Sequence, residues 1–287
     1  MVLVHGLDSS KETWCGVLAE LAKRGYPALA LDQRGHGESP LGDPEDFSPE
    51  ALAQDVLHSI REHGIKRYVL VGHSMGGRVA MRAAAIAASQ ADATSPTMVA
   101  CVIEDMDATS RSNFVDEAAQ PMSGAQAASL ERFTSPKGRR FASWEAARHA
   151  LLQHYVGEDE RVDAWRGSRV RPEASGSWWC DLNPAARRLA GVHVLASNDG
   201  SHAWDELAAH GERLPFSVHV WYADDIPRGS GTVCTLKGRD GLEDMARRLP
   251  SAQLKFFADS GHSIHNTQRA AFLDALCGVV DGATRAS

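Results

Sequence analysis

Residues 72–76 read Gly-His-Ser-Met-Gly, a G-x-S-x-G pentapeptide between the apolar run 68–71 and an alanine-rich stretch that begins near Gly77. A serine presented on a sharp turn from strand to helix can attack a carbonyl carbon. Such a turn tolerates almost no side chain two residues to either side, because the backbone folds back on itself there. Gly72 and Gly76 supply that room, which makes Ser74 the candidate nucleophile. A serine hydroxyl is weak until a base takes its proton and a third group holds the base in the right tautomer. Of the 13 histidines, His262 suits that part: it sits in a loop after one expected strand and before the last expected helix, and it follows Ser74 in the chain. His265 completes an H-x-x-H spacing, but the sequence beside it offers no third ligand, so neither a metal nor another cofactor is expected.

Elements of alternating period must place these groups. Strands are expected over 2–4, 26–32, 68–71 and 99–104, interleaved with helices over 13–24, 49–63 and 77–88. That order predicts an α/β protein with a mostly parallel, doubly wound sheet. The helix over 49–63 carries its own punctuation, with Ser48 as cap, Pro49 in the first turn, Leu52, Val56 and Ile60 on one stripe, and Gly64 as the stop. From 107 to 180 the strand rhythm ends, and alanine, charge and scattered aromatics take over, with a helix over 143–155. This segment reads as a helical cap inserted into a core made of 1–106 and 181–287. Strands resume over 192–196, 217–222 and 254–257, and a last helix runs over 268–280. A fold rarely begins on a central strand, which leads us to expect residues upstream of Met1.

Composition narrows the class. The 287 residues are 43% apolar and carry 37 acidic against 30 basic side chains, a formal charge of -7. Such a balance gives no field that would draw the protein to nucleic acid or to an anionic membrane. No apolar run approaches the ~20 residues needed to span a bilayer. Cys15, Cys101, Cys180, Cys234 and Cys277 are odd in number and irregularly spaced, which points to neither a disulfide framework nor a zinc site. A reducing compartment, the cytoplasm or an organelle lumen, is the expectation.

His5-Gly6, Asp32-Gln33-Arg34-Gly35-His36-Gly37-Glu38-Ser39, Gly72–Gly77 and Gly261-His262 together resemble the alpha/beta-hydrolase superfamily. Residues 71–81 and Val102-Ile103-Glu104-Asp105 are most similar to the small carboxylesterase and thioesterase-like hydrolases of its abhydrolase-domain group. The resemblance implies an oxyanion hole built from the main-chain N–H groups of Leu7 and Met75. It implies structural roles for Asp32 and Arg34. For the acid it leaves three positions open. Asp225 follows the strand before the histidine strand, as in most members; Asp105 follows the strand after the nucleophile helix, as in the small esterases; Asp199 follows the expected strand over 192–196.

The function expected is a serine hydrolase that cleaves carboxylic esters or thioesters of small to medium apolar acyl groups through an acyl-enzyme on Ser74. Serine at 74 argues against the dehalogenase and epoxide-hydrolase chemistry of this fold, which uses an aspartate nucleophile. Eight cap aromatics, from Phe114 to Trp179, either line an apolar acyl pocket or pack the cap onto the sheet, and packing is the plainer reading. A ligand-sensing receptor or a non-catalytic binding protein on the same fold is the alternative.

Overall fold

A computed structural model of the protein describes all residues except 90–94, 116–121, 136, 156, 224–238 and 286–287. Its strands are β1 (Val2–Val4), β2 (Leu29–Leu31), β3 (Arg67–His73), β4 (Thr97–Glu104), the short β5 (Arg140–Phe141), β6 (Val170–Pro172) and β7 (Trp178–Cys180), then β8 (Ser217–Ala223) and β9 (Gln253–Phe257). Six of them form one parallel sheet in the order β2-β1-β3-β4-β8-β9.

Alternation along the central strands builds two cores. Tyr68 and Leu70 of β3, with Ile103 of β4 and Val220 of β8, face one layer. Val69, Val71, Val102 and Trp221 face the other. Successive strand residues point to opposite faces, and a parallel sheet covered on both sides needs apolar groups on each. That is why 68–71 is an unbroken apolar run. Helices α1 (Cys15–Lys23) and α9 (Arg269–Arg285) cover one face through Val17, Leu21, Phe272 and Leu276. Helices α2 (Pro49–Glu62), α3 (Met75–Ser89) and α8 (Asp199–His210) cover the other. The α2 punctuation is as its sequence predicts. Ser48 accepts the Ala51 N–H at 3.1 Å, Leu52, Val56 and Ile60 are buried, and Gly64 takes φ 65°.

Two expectations are corrected. Residues 192–196 are not a strand: Gly191–Leu195 is a π-helical turn that continues from α7 (Pro184–Ala190). Val194 and Leu195 bury into the same core as α7, and a mainly apolar run of five residues is too short for its period to separate helix from strand. The segment 107–180 is also not purely helical. Beside α4 (Gly124–Phe133), α5 (Trp144–Leu152) and α6 (Asp159–Ala164) it holds an antiparallel sheet in the order β5-β7-β6. It also packs a core of its own from Phe133, Phe141, Trp144, Leu151, Tyr155 and Val162. Smaller shifts shorten the expected strand over 26–32 to Leu29–Leu31 and carry the last helix on to Arg285. Among the described residues no helix is long and apolar enough to cross a membrane.

Candidate active site

Ser74 joins the end of β3 to the start of α3 with φ 53°, in the left-handed region that costs a side chain of order 1–3 kcal/mol. Close packing holds it there. The Ser74 N–H donates to the Glu104 carbonyl at 2.9 Å, and the Ser74 carbonyl accepts from the Gly77 N–H at 2.7 Å. A Cβ on Gly72 would lie 2.1 Å from the Gly76 carbonyl oxygen, and one on Gly76 would lie 2.6 Å from the carbonyl oxygens of Val4 and His5. The turn therefore crosses β1 with no space for side chains. Gly6 belongs to the same crossing, since a Cβ there would lie 3.0 Å from that of Ser74. Leu7 thus begins its turn beside Ser74, and Met75 opens α3 immediately after it.

Asp105 follows β4 in a second left-handed turn, φ 48°. Its N–H donates to the Trp221 carbonyl at 2.7 Å, and its Oδ1 accepts the Ala223 N–H at 3.1 Å. Oδ2 accepts Nδ1–H of His262 at 2.7 Å, with the carboxylate 7% exposed and the imidazole 25%. That bond makes Nε2 the basic nitrogen of His262. His73 packs its ring 4.5 Å from that of His262 and donates Nε2–H to the His262 carbonyl at 3.0 Å. The residue before the candidate nucleophile thus grips the loop of the candidate base.

Of the other acids considered, Asp199 stands at the start of α8 and is ion-paired with Arg82 at 2.5 Å. Asp225 lies outside the described residues. Asp32 accepts main-chain N–H groups from Lys11 at 2.7 Å and Glu38 at 3.0 Å, and Arg34 is bonded through Nε and Nη2 to Asp55. Both hold the loop after β2.

Sequence reasoning missed Glu104. It is fully buried, and it accepts the main-chain N–H of His265 at 2.9 Å and the His265 Nδ1–H at 2.8 and 3.0 Å. His265 is therefore not paired with His262 as the H-x-x-H spacing suggested. His73, Glu104 and His265 could offer three ligand atoms within 4.8 Å of one another. Glu104 and His265 Nδ1 already satisfy each other, and His73 donates Nε2–H to the His262 carbonyl while its buried Nδ1 has no hydrogen-bond partner among the described residues. An adjacent acid and a second histidine three residues on were the signal available in the sequence.

Segment 107–180 reaches the turn after Leu7 through polar groups. Asp8, at φ 54°, accepts the Tyr155 hydroxyl at 2.6 Å and Arg161 at 3.0 Å, and it also bonds Arg187. Burial pushes the Asp8 carboxyl up, but Arg187 and Arg161 outweigh it and hold it below the usual carboxylate range. Arg169 donates to Ser9 at 2.9 Å. The cap aromatics mostly fill the cap's own interior, among them Phe133, Phe141, Trp144 and Tyr155.

Two buried histidines make stability depend on pH. Burial first, then the neighbouring His36, brings His5 down to about 3; burial first, then His262 and His265, holds His73 well below its ordinary value. Both remain neutral in the fold and take up a proton more readily when unfolded. Their contribution is complete above the unfolded value of about 6.5 and is lost as pH falls toward the folded values. Between pH 7.5 and 5 the His5 ring should cost on the order of 2 kcal/mol, with His73 adding in the same direction, read as a falling urea midpoint. A midpoint that stays level over that range would contradict the neutral burial of both rings.

A parallel sheet with a serine on a left-handed strand-to-helix turn and a carboxylate-bound histidine beside it defines an α/β hydrolase. The model of the Alpha/beta hydrolase family matches residues 1–275, and the chain belongs to that family of hydrolases. It is 24% identical over 277 residues to the sn-1-specific diacylglycerol lipase ABHD11 of Mus musculus, covering 96% of this chain and 79% of that one. Among solved structures it resembles E-2-(acetamidomethylene)succinate hydrolase, with TM-score 0.65 and 20% identity, covering 98% of this chain and 91% of the other. It also resembles a thioesterase domain from the curacin biosynthetic pathway, with TM-score 0.63 and 19% identity over 96% and 90% of the two chains. At such identities the structures speak for the fold alone.

Proposed function

We propose that the protein is a serine hydrolase that cleaves carboxylic esters or thioesters through an acyl-enzyme on Ser74, with His262 as base and Asp105 as the acid that orients it. The 2.7 Å bond from His262 Nδ1–H to Asp105, beside the strained Ser74 turn, carries this reading. His262 Nε2 takes the hydroxyl proton as Ser74 Oγ bonds to the acyl carbon. The N–H groups of Leu7 and Met75 face the oxygen on which negative charge develops. Such donors lower a barrier by about 3 kcal/mol each. Collapse of the tetrahedral adduct expels the alcohol or thiol, which receives the proton from His262. A water molecule then gives a proton to the same nitrogen as it attacks the acyl carbon, and the second adduct collapses by breaking the bond to Ser74 Oγ, which takes the proton back from His262 as the carboxylic acid leaves. Asp105 holds the imidazole in one tautomer and stabilises the imidazolium formed in each half-reaction.

We take residues 107–180 as the cap over this site and 1–106 with 181–287 as the catalytic core. Small to medium apolar acyl groups are the proposed substrates, and cleavage of an ester bond is in keeping with the lipase named above. An apolar acyl pocket has less behind it, because the cap aromatics are largely spent on the cap's own core and the cap meets the Asp8–Ser9 turn through arginines and a tyrosine. The test is stoichiometric labelling of Ser74 by a fluorophosphonate, followed by turnover of an ester series graded in chain length and including one carboxylate-bearing member. Rapid turnover of labelled protein is expected. Labelling with a single slow cycle would favour a receptor, and absence of labelling a binding protein.

A further inference from the structure

We infer that Glu104 and His265 are positioning residues for the reaction proposed above, forming a second, buried carboxylate–imidazole pair that locks the Ser74 turn, the Asp105 turn and the His262 loop to one another. The inference rests on Ser74 being the nucleophile. Glu104 immediately precedes Asp105, and its main-chain carbonyl receives the Ser74 N–H at 2.9 Å. Its carboxylate receives both the main-chain N–H and the Nδ1–H of His265, three residues beyond His262. One residue therefore touches the backbone of the nucleophile and of the histidine segment, and is covalently joined to the acid.

His265 is tied on its other edge as well. With Nδ1–H given to Glu104, its Nε2 is the acceptor for the Thr13 hydroxyl at 3.0 Å and the Asn266 amide at 3.1 Å. Its ring lies 4.1 Å from that of Trp14 and edge-on to His73 at 4.9 Å, and His73 in turn stacks on His262 and bonds its carbonyl. Both members of the pair are fully buried. Removing a carboxylate from water is costly, and well-packed apolar residues commonly hold two segments together at least as well. What an apolar pair lacks is direction. Two N–H groups converging on one carboxylate fix the rotation of the 262–265 segment as well as its distance, and the Nε2 of His262 must point at Ser74 within a narrow angle. A displacement of about 1 Å at a reacting group can cost on the order of a hundredfold in rate.

The experiment measures kcat per site titrated with fluorophosphonate, together with the far-downfield proton resonance of the His262–Asp105 hydrogen bond. Glu104→Gln and His265→Leu are expected to lower kcat by about tenfold to a hundredfold with KM within about twofold, and to shift or abolish the resonance. His265→Asn, whose side-chain N–H can replace Nδ1–H, is expected to recover most of the lost rate. Thr13→Val, which removes only the hydroxyl on Nε2, gives a milder variant should the others fold poorly, and a several-fold loss of kcat is expected there. Wild-type kcat per titrated site with an unchanged resonance in Glu104→Gln would overturn the inference, as would equal losses in His265→Asn and His265→Leu, or an unaltered kcat and resonance in Thr13→Val if that is the only variant to fold. Failure of the wild-type protein to label would instead defeat the assignment of Ser74.

Discussion

Ser74→Ala is expected to lower kcat on the best ester of the series by about 10^6-fold, the scale seen when a serine hydrolase loses its nucleophile. Fluorophosphonate labelling should vanish with it. Stability should hardly change, because alanine inherits the same left-handed backbone at φ 53° and the same neighbours. Ser74→Gly should be equally inactive yet more stable by about 1 kcal/mol, since glycine adopts that φ without penalty. Urea denaturation of the three proteins checks the difference. Turnover persisting in both variants would mean that another group attacks the substrate. A less stable glycine variant would mean that the turn is not strained.

Asp105→Asn is the second large effect, with kcat expected to fall by about 10^4. The asparagine amide cannot accept Nδ1–H through both of its ends. The imidazole then favours the tautomer with its proton on Nε2, where the base must be bare. The backbone bonds of residue 105 to Trp221 and the fold of the turn should survive the change. Asp225→Asn is expected to stay within about threefold of wild type, because the His262 Nδ1 already has Asp105 as its partner. Comparable activity in the two variants would show that neither carboxylate orients the base, and a larger loss at 225 would reverse the assignment. Steady-state kinetics on one ester settles the order.

Much of the candidate site's geometry could be read from residue types because it demands particular ones. The Ser74 turn needs glycine at 72 and 76, and the distances a Cβ would have there, 2.1 and 2.6 Å from carbonyl oxygens, explain why no other residue serves. The bounds of α2 were legible for a similar reason, since Ser48, Pro49 and Gly64 each answer a local backbone requirement. The acid was not legible in that way. Asp105 and Asp225 each follow a strand in the sequence, and the choice depends on how β4 and β8 lie in the sheet. The left-handed φ of Asp105 carries no glycine or asparagine to announce it. The Glu104–His265 pair is joined across 161 positions, and a carboxylate inside an apolar strand has no local signature of its purpose. Residues 192–196 misled because five mainly apolar residues hold no period long enough to separate a π-helical turn from a strand. The small sheet escaped notice because strands of two or three residues show no alternation.

The separate interior of residues 107–180 has a consequence for how the chain tolerates change. A segment that packs a centre of its own, and ties itself to the turn after Leu7 through Asp8 with Tyr155 and Arg161 and through Ser9 with Arg169, can exchange residues inside that centre without touching the layers that cover the sheet.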